Sequence, residues 1–165
     1  MLKKLFGKKE VIKTIQVFSP ITGTALSLEN VPDPVFAEKM MGDGLAIDPS
    51  EGIAVSPVDG EIIQVFPTKH AIGIRAKNGA EILIHIGLET VSLSGEGFET
   101  FVSEGDKVKV GDKLVSFDLD IIKSKAKSTV TPLIITNTDQ AASLKKLAEG
   151  QVEKGATPLL EVTFN

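Results

Sequence analysis

From residue 14 to the end of the chain, apolar residues come in short runs, each cut off by Gly, Pro, Asp or Asn before a helical stripe can establish itself. Residues 14–18, 53–55, 61–66, 71–75, 113–117, 130–135 and 159–164 are such runs, rich in the β-branched and aromatic side chains that suit a pleated surface. Many short strands with turn residues between them predict an all-β fold, an antiparallel sandwich or barrel. A repeat sharpens the expectation. Ser19-Pro-Ile-Thr-Gly23 recurs 37 residues later as Ser56-Pro-Val-Asp-Gly60, and in each copy proline presets a turn and glycine opens an alternating strand. Two copies are too few for a solenoid, so they predict a duplicated hairpin element closing one barrel. Glu104-Gly-Asp-Lys-Val-Lys-Val-Gly-Asp-Lys-Leu114 supplies a further tight turn. Helix is expected only in short pieces, over 119–127 and after Thr138-Asp139, where Ala141, Leu144, Leu147 and Ala148 recur at three or four before Gly150.

At 165 residues and 42% hydrophobic content, the chain has room for one domain with a core of its own. That domain is expected over 14–165, behind a basic tail over 1–13. In the tail, Leu2, Leu5 and Phe6 stand among Lys3, Lys4, Lys8 and Lys9, which suits either a solubilising tail or a short membrane-surface contact over residues 1–9. Gly7 interrupts it and favours the tail. Without those four lysines the chain holds 14 basic against 22 acidic residues, a balance that argues against nucleic acid and for a basic protein partner. Arg75 is the only arginine, so no multi-guanidinium phosphate clamp exists, and no phosphate-binding Gly-Lys-Ser/Thr loop is present. There is no cysteine, hence no disulfide, thiolate nucleophile or cysteine-zinc site. With no signal peptide and no stretch near the roughly 18 apolar residues of a span, a cytoplasmic protein is expected.

The chemistry then falls to two histidines. His85 sits inside the run Ile82-Leu-Ile-His-Ile-Gly-Leu88, which predicts a strand buried on both sides, with Leu83, His85 and Gly87 on one face. His70 follows Phe66-Pro-Thr68-Lys, fifteen residues upstream. Burial keeps an imidazole neutral and its lone pair available, and attack on phosphorus gives a phosphoramidate that is itself a good donor. That suits a carrier. His70 is placed to donate to a phosphoryl group and Thr68 to orient His70, while Gly87 leaves room for backbone approach. The plainer reading makes His85 a hydrogen-bonded core residue. Two histidines alone fall short of a zinc site, which needs three or four protein ligands, so no metal is required and His70 and His85 are candidates only at a partner interface. A lysine-borne carrier is a further alternative, with Lys39 in Ala37-Glu-Lys-Met-Met41 or Lys125 in Ser124-Lys-Ala126 as the modified residue.

Five stretches in order carry a resemblance: Val31-Pro-Asp-Pro-Val-Phe-Ala-Glu-Lys-Met-Met41 with its continuation to Ile47, Thr68-Lys-His70, Gly79 through Val91, Leu93-Ser-Gly-Glu-Gly-Phe98, and Lys127-Ser-Thr-Val-Thr-Pro132. Together they resemble the glucose-type IIA component of the bacterial phosphoenolpyruvate-dependent sugar phosphotransferase system, over about residues 14–164. The resemblance implies a β-sandwich or barrel of the barrel-sandwich type with minor short helices. It implies that His85 takes a phosphoryl group at Nε2 from the small carrier HPr and passes it to a cysteine of a IIB domain, with no cofactor. His70 would stabilise the phosphorylated state, with Thr68 in its hydrogen-bond network. Val35, Phe36, Met41, Phe66 and Leu83 would form an apolar docking ring, and Asp33 and Glu89 its acidic contacts. Glu89 stands where aspartate is frequent, Pro34 where a smaller or β-branched residue is common, and Leu83 where phenylalanine occurs. These departures bear on partner preference and leave both histidines in place. A regulatory role, in which transporters or kinases sense the phosphorylation state, is the alternative within the same resemblance.

Overall fold

The computed structural model describes residues 12–165; the proposed tail contact over residues 1–9 lies outside them. Fourteen strands follow one another as β1 Thr14–Phe18, β2 Gly23–Ser27, β3 Asp43–Pro49, β4 Ile53–Val55, β5 Gly60–Val65, β6 Ala71–Ala76, β7 Glu81–His85, β8 Phe98–Thr100, β9 Lys107–Val108, β10 Lys113–Phe117, β11 Thr131–Ile135, β12 Ser143–Lys146, β13 Gly150–Val152 and β14 Pro158–Thr163. Two short helices interrupt them, α1 Pro34–Ala37 and α2 Leu119–Lys125. The strands form an eight-stranded sheet, ordered β13-β2-β3-β11-β7-β6-β5-β9, and two three-stranded sheets, β1-β14-β12 and β4-β10-β8. Every pairing within them is antiparallel. The all-β expectation holds.

The duplicated turns meet each other. Phe18 N–H donates to Pro57 O at 2.9 Å and Val55 N–H donates to Pro20 O at 2.8 Å, the same bond made once from each copy. Inside each turn the serine hydroxyl is buried and donates two residues ahead, Ser19 Oγ to Ile21 O and Ser56 Oγ to Val58 O, both at 2.7 Å. The relation continues outward: Gly23 of β2 pairs with Val152 of β13 as Gly60 of β5 pairs with Val108 of β9. An approximate two-fold relates the two halves of this corner, and it explains why two short repeats suffice to close the fold.

Alternation along the central strands feeds two cores. Ile82 and Ile84 of β7, Leu133 and Ile135 of β11, and Leu45 and Ile47 of β3 point into the main cluster. Their neighbours Leu83, Ile134 and Ala46 point the other way, into a smaller cluster roofed by Leu28, Val31 and Phe36. That roof is the segment between β2 and β3, where Asp33 Oδ1 accepts from Val35 N–H at 3.0 Å and caps α1, with Pro34 at its first position.

Two expectations fail. The segment after Thr138 is one 3-10 turn over Thr138–Gln140 followed by strand β12. Spacing of three and four fits Leu144 and Leu147, yet the open edge of β14 takes this backbone, pairing Leu144 with Val162 and leaving Ser143 and Lys145 exposed. The strand predicted through Leu88 ends at His85, because Gly87 turns the chain at φ +75° and a 3-10 turn follows over Thr90–Leu93.

Candidate functional site

The register of β6 against β7 sets Ala71 opposite His85, so the residue entering β6, His70, lies beside the residue ending β7. Ile86 N–H donates to His70 O at 2.7 Å and locks the two chain segments together. The imidazoles meet edge to face with centroids 4.9 Å apart. Phe36 packs on His85 at 5.1 Å and Phe66 on His70 at 5.6 Å, closing an aromatic bracket around the pair.

Each ring is held through Nδ1. His85 Nδ1 lies 2.8 Å from Gly87 O. A carbonyl only accepts, so the proton is on Nδ1 and the lone pair of the neutral ring is on Nε2. His70 Nδ1 lies 2.6 Å from Thr68 Oγ1, with Lys69 between them in the left-handed region at φ +65°. Among the described residues neither Nε2 has a hydrogen-bond partner, and no buried side-chain nitrogen or oxygen is left without one. Both Nε2 atoms therefore reach the surface, although His70 is buried and His85 half-buried. Burial drives His70 down to about 4, helped by the neighbouring His85. His85 is also lowered, first by burial; its bonds to Gly87 and to its own backbone, and the charge of Asp33, pull the other way. Two neutral imidazoles at pH 7 follow.

The other expected residues are divided by the structure. Phe36 and Leu83 are buried in the small cluster and Phe66 packs against it. Val35 is exposed on α1 near Phe36, and Asp33 is the cap of that helix. Met41 instead lines a separate cleft with Lys39, Met40, Asp43, Thr136, Thr138 and Asp139. Glu89 is exposed, in the left-handed region at φ +59°, and lies 4.0 Å from Lys127 Nζ. No group of three or more potential metal ligands occurs among the described residues. Neither candidate lysine stands at a hairpin tip: Lys125 ends α2, 2.9 Å from Glu96, and Lys39 follows α1, 3.3 Å from Glu29 and 3.7 Å from Asp43. The lysine-borne alternative is not supported by either placement.

The hydrogen bonds around Gly87 are not legible in the sequence. Gly87 N–H donates to Thr131 Oγ1 at 3.3 Å, and Thr90 Oγ1 donates to Ile86 O at 2.6 Å. The signal for Thr131 is the motif Lys127–Pro132, whose purpose its spacing does not reveal.

The model of one protein family, described as phosphoenolpyruvate-dependent sugar phosphotransferase system, EIIA 1, matches residues 15–141. The chain belongs to this family. Its role in the family is that of a phosphocarrier in sugar uptake, a phosphotransferase-system component that receives a phosphoryl group and passes it on. Similarity extends nearly end to end. A protein of Bacillus cereus named PTS system glucose-specific EIIA component is 61% identical over 164 residues, 99% of each chain. One of the same name from Staphylococcus aureus is 58% identical over 166 residues, covering 100% of both. Among solved structures, the glucose permease IIA from Mycoplasma capricolum superposes with a TM-score of 0.85 at 43% identity, covering 93% of this chain and 99% of that one.

Proposed function

We propose that His85 is the phosphoacceptor and that its Nε2 is the nucleophile. The observation that carries this is the pairing of an engaged Nδ1, bonded to Gly87 O, with an Nε2 that is unpartnered and open to the surface. The lone pair of Nε2 forms the new N–P bond as the N–P bond of the phosphohistidine on HPr breaks, and the donor imidazole leaves with that electron pair. No proton need move on His85, because Nδ1–H stays on the Gly87 carbonyl throughout and supports the positive ring.

His70 holds the phosphoryl oxygens. If the Thr68 hydroxyl donates to Nδ1, the proton of neutral His70 is on Nε2, the atom that faces the transferred group. Phe36 and Phe66 keep water from the N–P bond, which favours transfer to a second protein over hydrolysis. We assign the docking surface to Val35 and Phe66 over a buried floor of Phe36 and Leu83, with Asp33 and Glu89 as acidic contacts for a basic donor and Met41 at the margin. The acceptor is a IIB domain. The names of the relatives support glucose as the sugar served. Among the described residues no helix is long and apolar enough to cross a membrane, and we place the working unit, residues 14–165, in the cytoplasm with HPr.

Reconstitution with phosphoenolpyruvate, Enzyme I, HPr and membranes bearing a glucose permease with its IIB domain tests the division of roles. Wild type is expected to support sugar-phosphate formation, and His70→Gln to accept the phosphoryl group yet deliver it at least about tenfold more slowly. Delivery by His70→Gln at the wild-type rate would remove His70 from the mechanism.

A further inference from the structure

We infer that Thr131, with Thr90, is a positioning residue that fixes the tautomer of His85 by immobilising the carbonyl of Gly87. The inference rests on the carrier reading for its purpose, and on independent geometry for its substance.

Gly87 adopts φ +75°, a conformation glycine reaches without strain. The same freedom would let its two flanking peptide planes rotate, and His85 Nδ1 depends on the direction of one of them. The structure restrains both. The peptide before Gly87 is held at its two ends by threonines, Ile86 O accepting from Thr90 Oγ1 at 2.6 Å and Gly87 N–H donating to Thr131 Oγ1 at 3.3 Å. The peptide after it is held by Leu88 N–H, which donates to Ser128 O at 2.9 Å. Both threonines are fully buried, and Thr131 Oγ1 also donates to Thr129 O at 3.0 Å, which orients its lone pairs toward Gly87. A Cβ on residue 87 would lie 2.6 Å from Thr90 Cγ2 and 2.9 Å from Ser128 O, so the loop is packed as well as bonded.

The chemical consequence is specific. Were the carbonyl to swing away, His85 would lose the partner that selects the Nδ1–H tautomer. The Nε2–H tautomer, which has no lone pair to offer at the surface, would then be populated. The motif Lys127–Pro132 thereby gains a function: it supplies Ser128 O and Thr131 Oγ1 to a loop 40 or so residues upstream in sequence.

The test uses the full, unphosphorylated chain labelled with 15N. The ring nitrogens of His85 are read by long-range 1H–15N correlation at pH 7.5 in wild type, Thr131→Val and Thr131→Ser. Wild type is expected to show Nδ1 protonated and Nε2 bare. Thr131→Val is expected to raise the Nε2–H share about tenfold, the weight of about one hydrogen bond, and to slow acceptance from HPr in proportion to the Nδ1–H share that is lost. Thr131→Ser is expected to restore both. An unchanged tautomer ratio in a folded Thr131→Val overturns the inference. Should that variant not fold, amide exchange at Gly87 in wild type decides: exchange slowed at least about tenfold relative to an unstructured glycine supports the bond to Thr131. Exchange at the unstructured rate refutes it. Phosphorylation that survives in His85→Ala would instead sink the carrier reading and leave the tautomer result standing.

Discussion

The corner where the two Ser-Pro turns meet and the site where the two histidines meet are each built from a pair, and the pairs differ in kind. At the corner, Ser19 and Ser56 make the same hydrogen bond at the same length, and each copy returns the bond it receives. At the histidine pair, His85 is held by a backbone carbonyl and His70 by a hydroxyl, and only His70 has a partner that can either give or take a proton. Symmetry serves closure, where any equal division of contacts will do. Directional chemistry needs one group to receive and its neighbour to assist, so equivalence has to be broken there.

That contrast orders the expected effects of substitution. The largest belongs to Phe36→Ala, which empties a buried site and bares His85: a loss of about 3–5 kcal/mol in urea unfolding is expected. His85 should then titrate at higher pH by NMR, as burial is the main cause of its lowered value. An unchanged titration would mean that Phe36 only packs. Gly87→Val comes next, at about 2–3 kcal/mol by the same assay, since the new side chain meets Thr90 and Ser128 at a positive φ. At the corner, Ser19→Ala and Ser56→Ala each leave a buried carbonyl short of a donor and should cost about 1–2 kcal/mol. The two losses should match, with phosphoryl acceptance untouched; unequal losses would break the two-fold account.

His70 sharpens the comparison through pH. Its value in the fold, about 4, lies below the 6.5 of an unstructured histidine, so between those limits the unfolded chain binds more protons. Stability is whole above about pH 6.5 and declines as pH falls toward 4. His70→Gln should flatten that part of a plot of Tm against pH, and an equally steep plot would show that the slope arises elsewhere. The corner has no titrating group of this kind, and Ser19→Ala should leave the slope alone.

Much of this was legible in the sequence, and the gaps share one cause. The short runs cut by Gly, Pro and Asp gave the strands at 14–18, 53–55 and 113–117 with their ends, because turn residues are local signals. The Ser-Pro repeat announced the duplication. Whether Leu144 sits in a helix or a strand was decided by the free edge of β14, which no local pattern reports. The end of β7 at His85 depends on a glycine whose positive φ is stabilised by contacts from residues 128 and 131. The two histidines, Thr68 and Phe36 stood out by type or motif. Thr131 lies within the stretch Lys127–Pro132, yet its role does not show there, for its partner lies 44 residues away.

The most direct test of the account is intact-mass analysis after incubation with phosphoenolpyruvate, Enzyme I and HPr, applied to wild type, His85→Ala and His70→Gln. One acid-labile phosphoryl group on wild type and on His70→Gln, and none on His85→Ala, is the predicted result. An adduct that persists in His85→Ala, or none on wild type beside fully charged HPr, would contradict it.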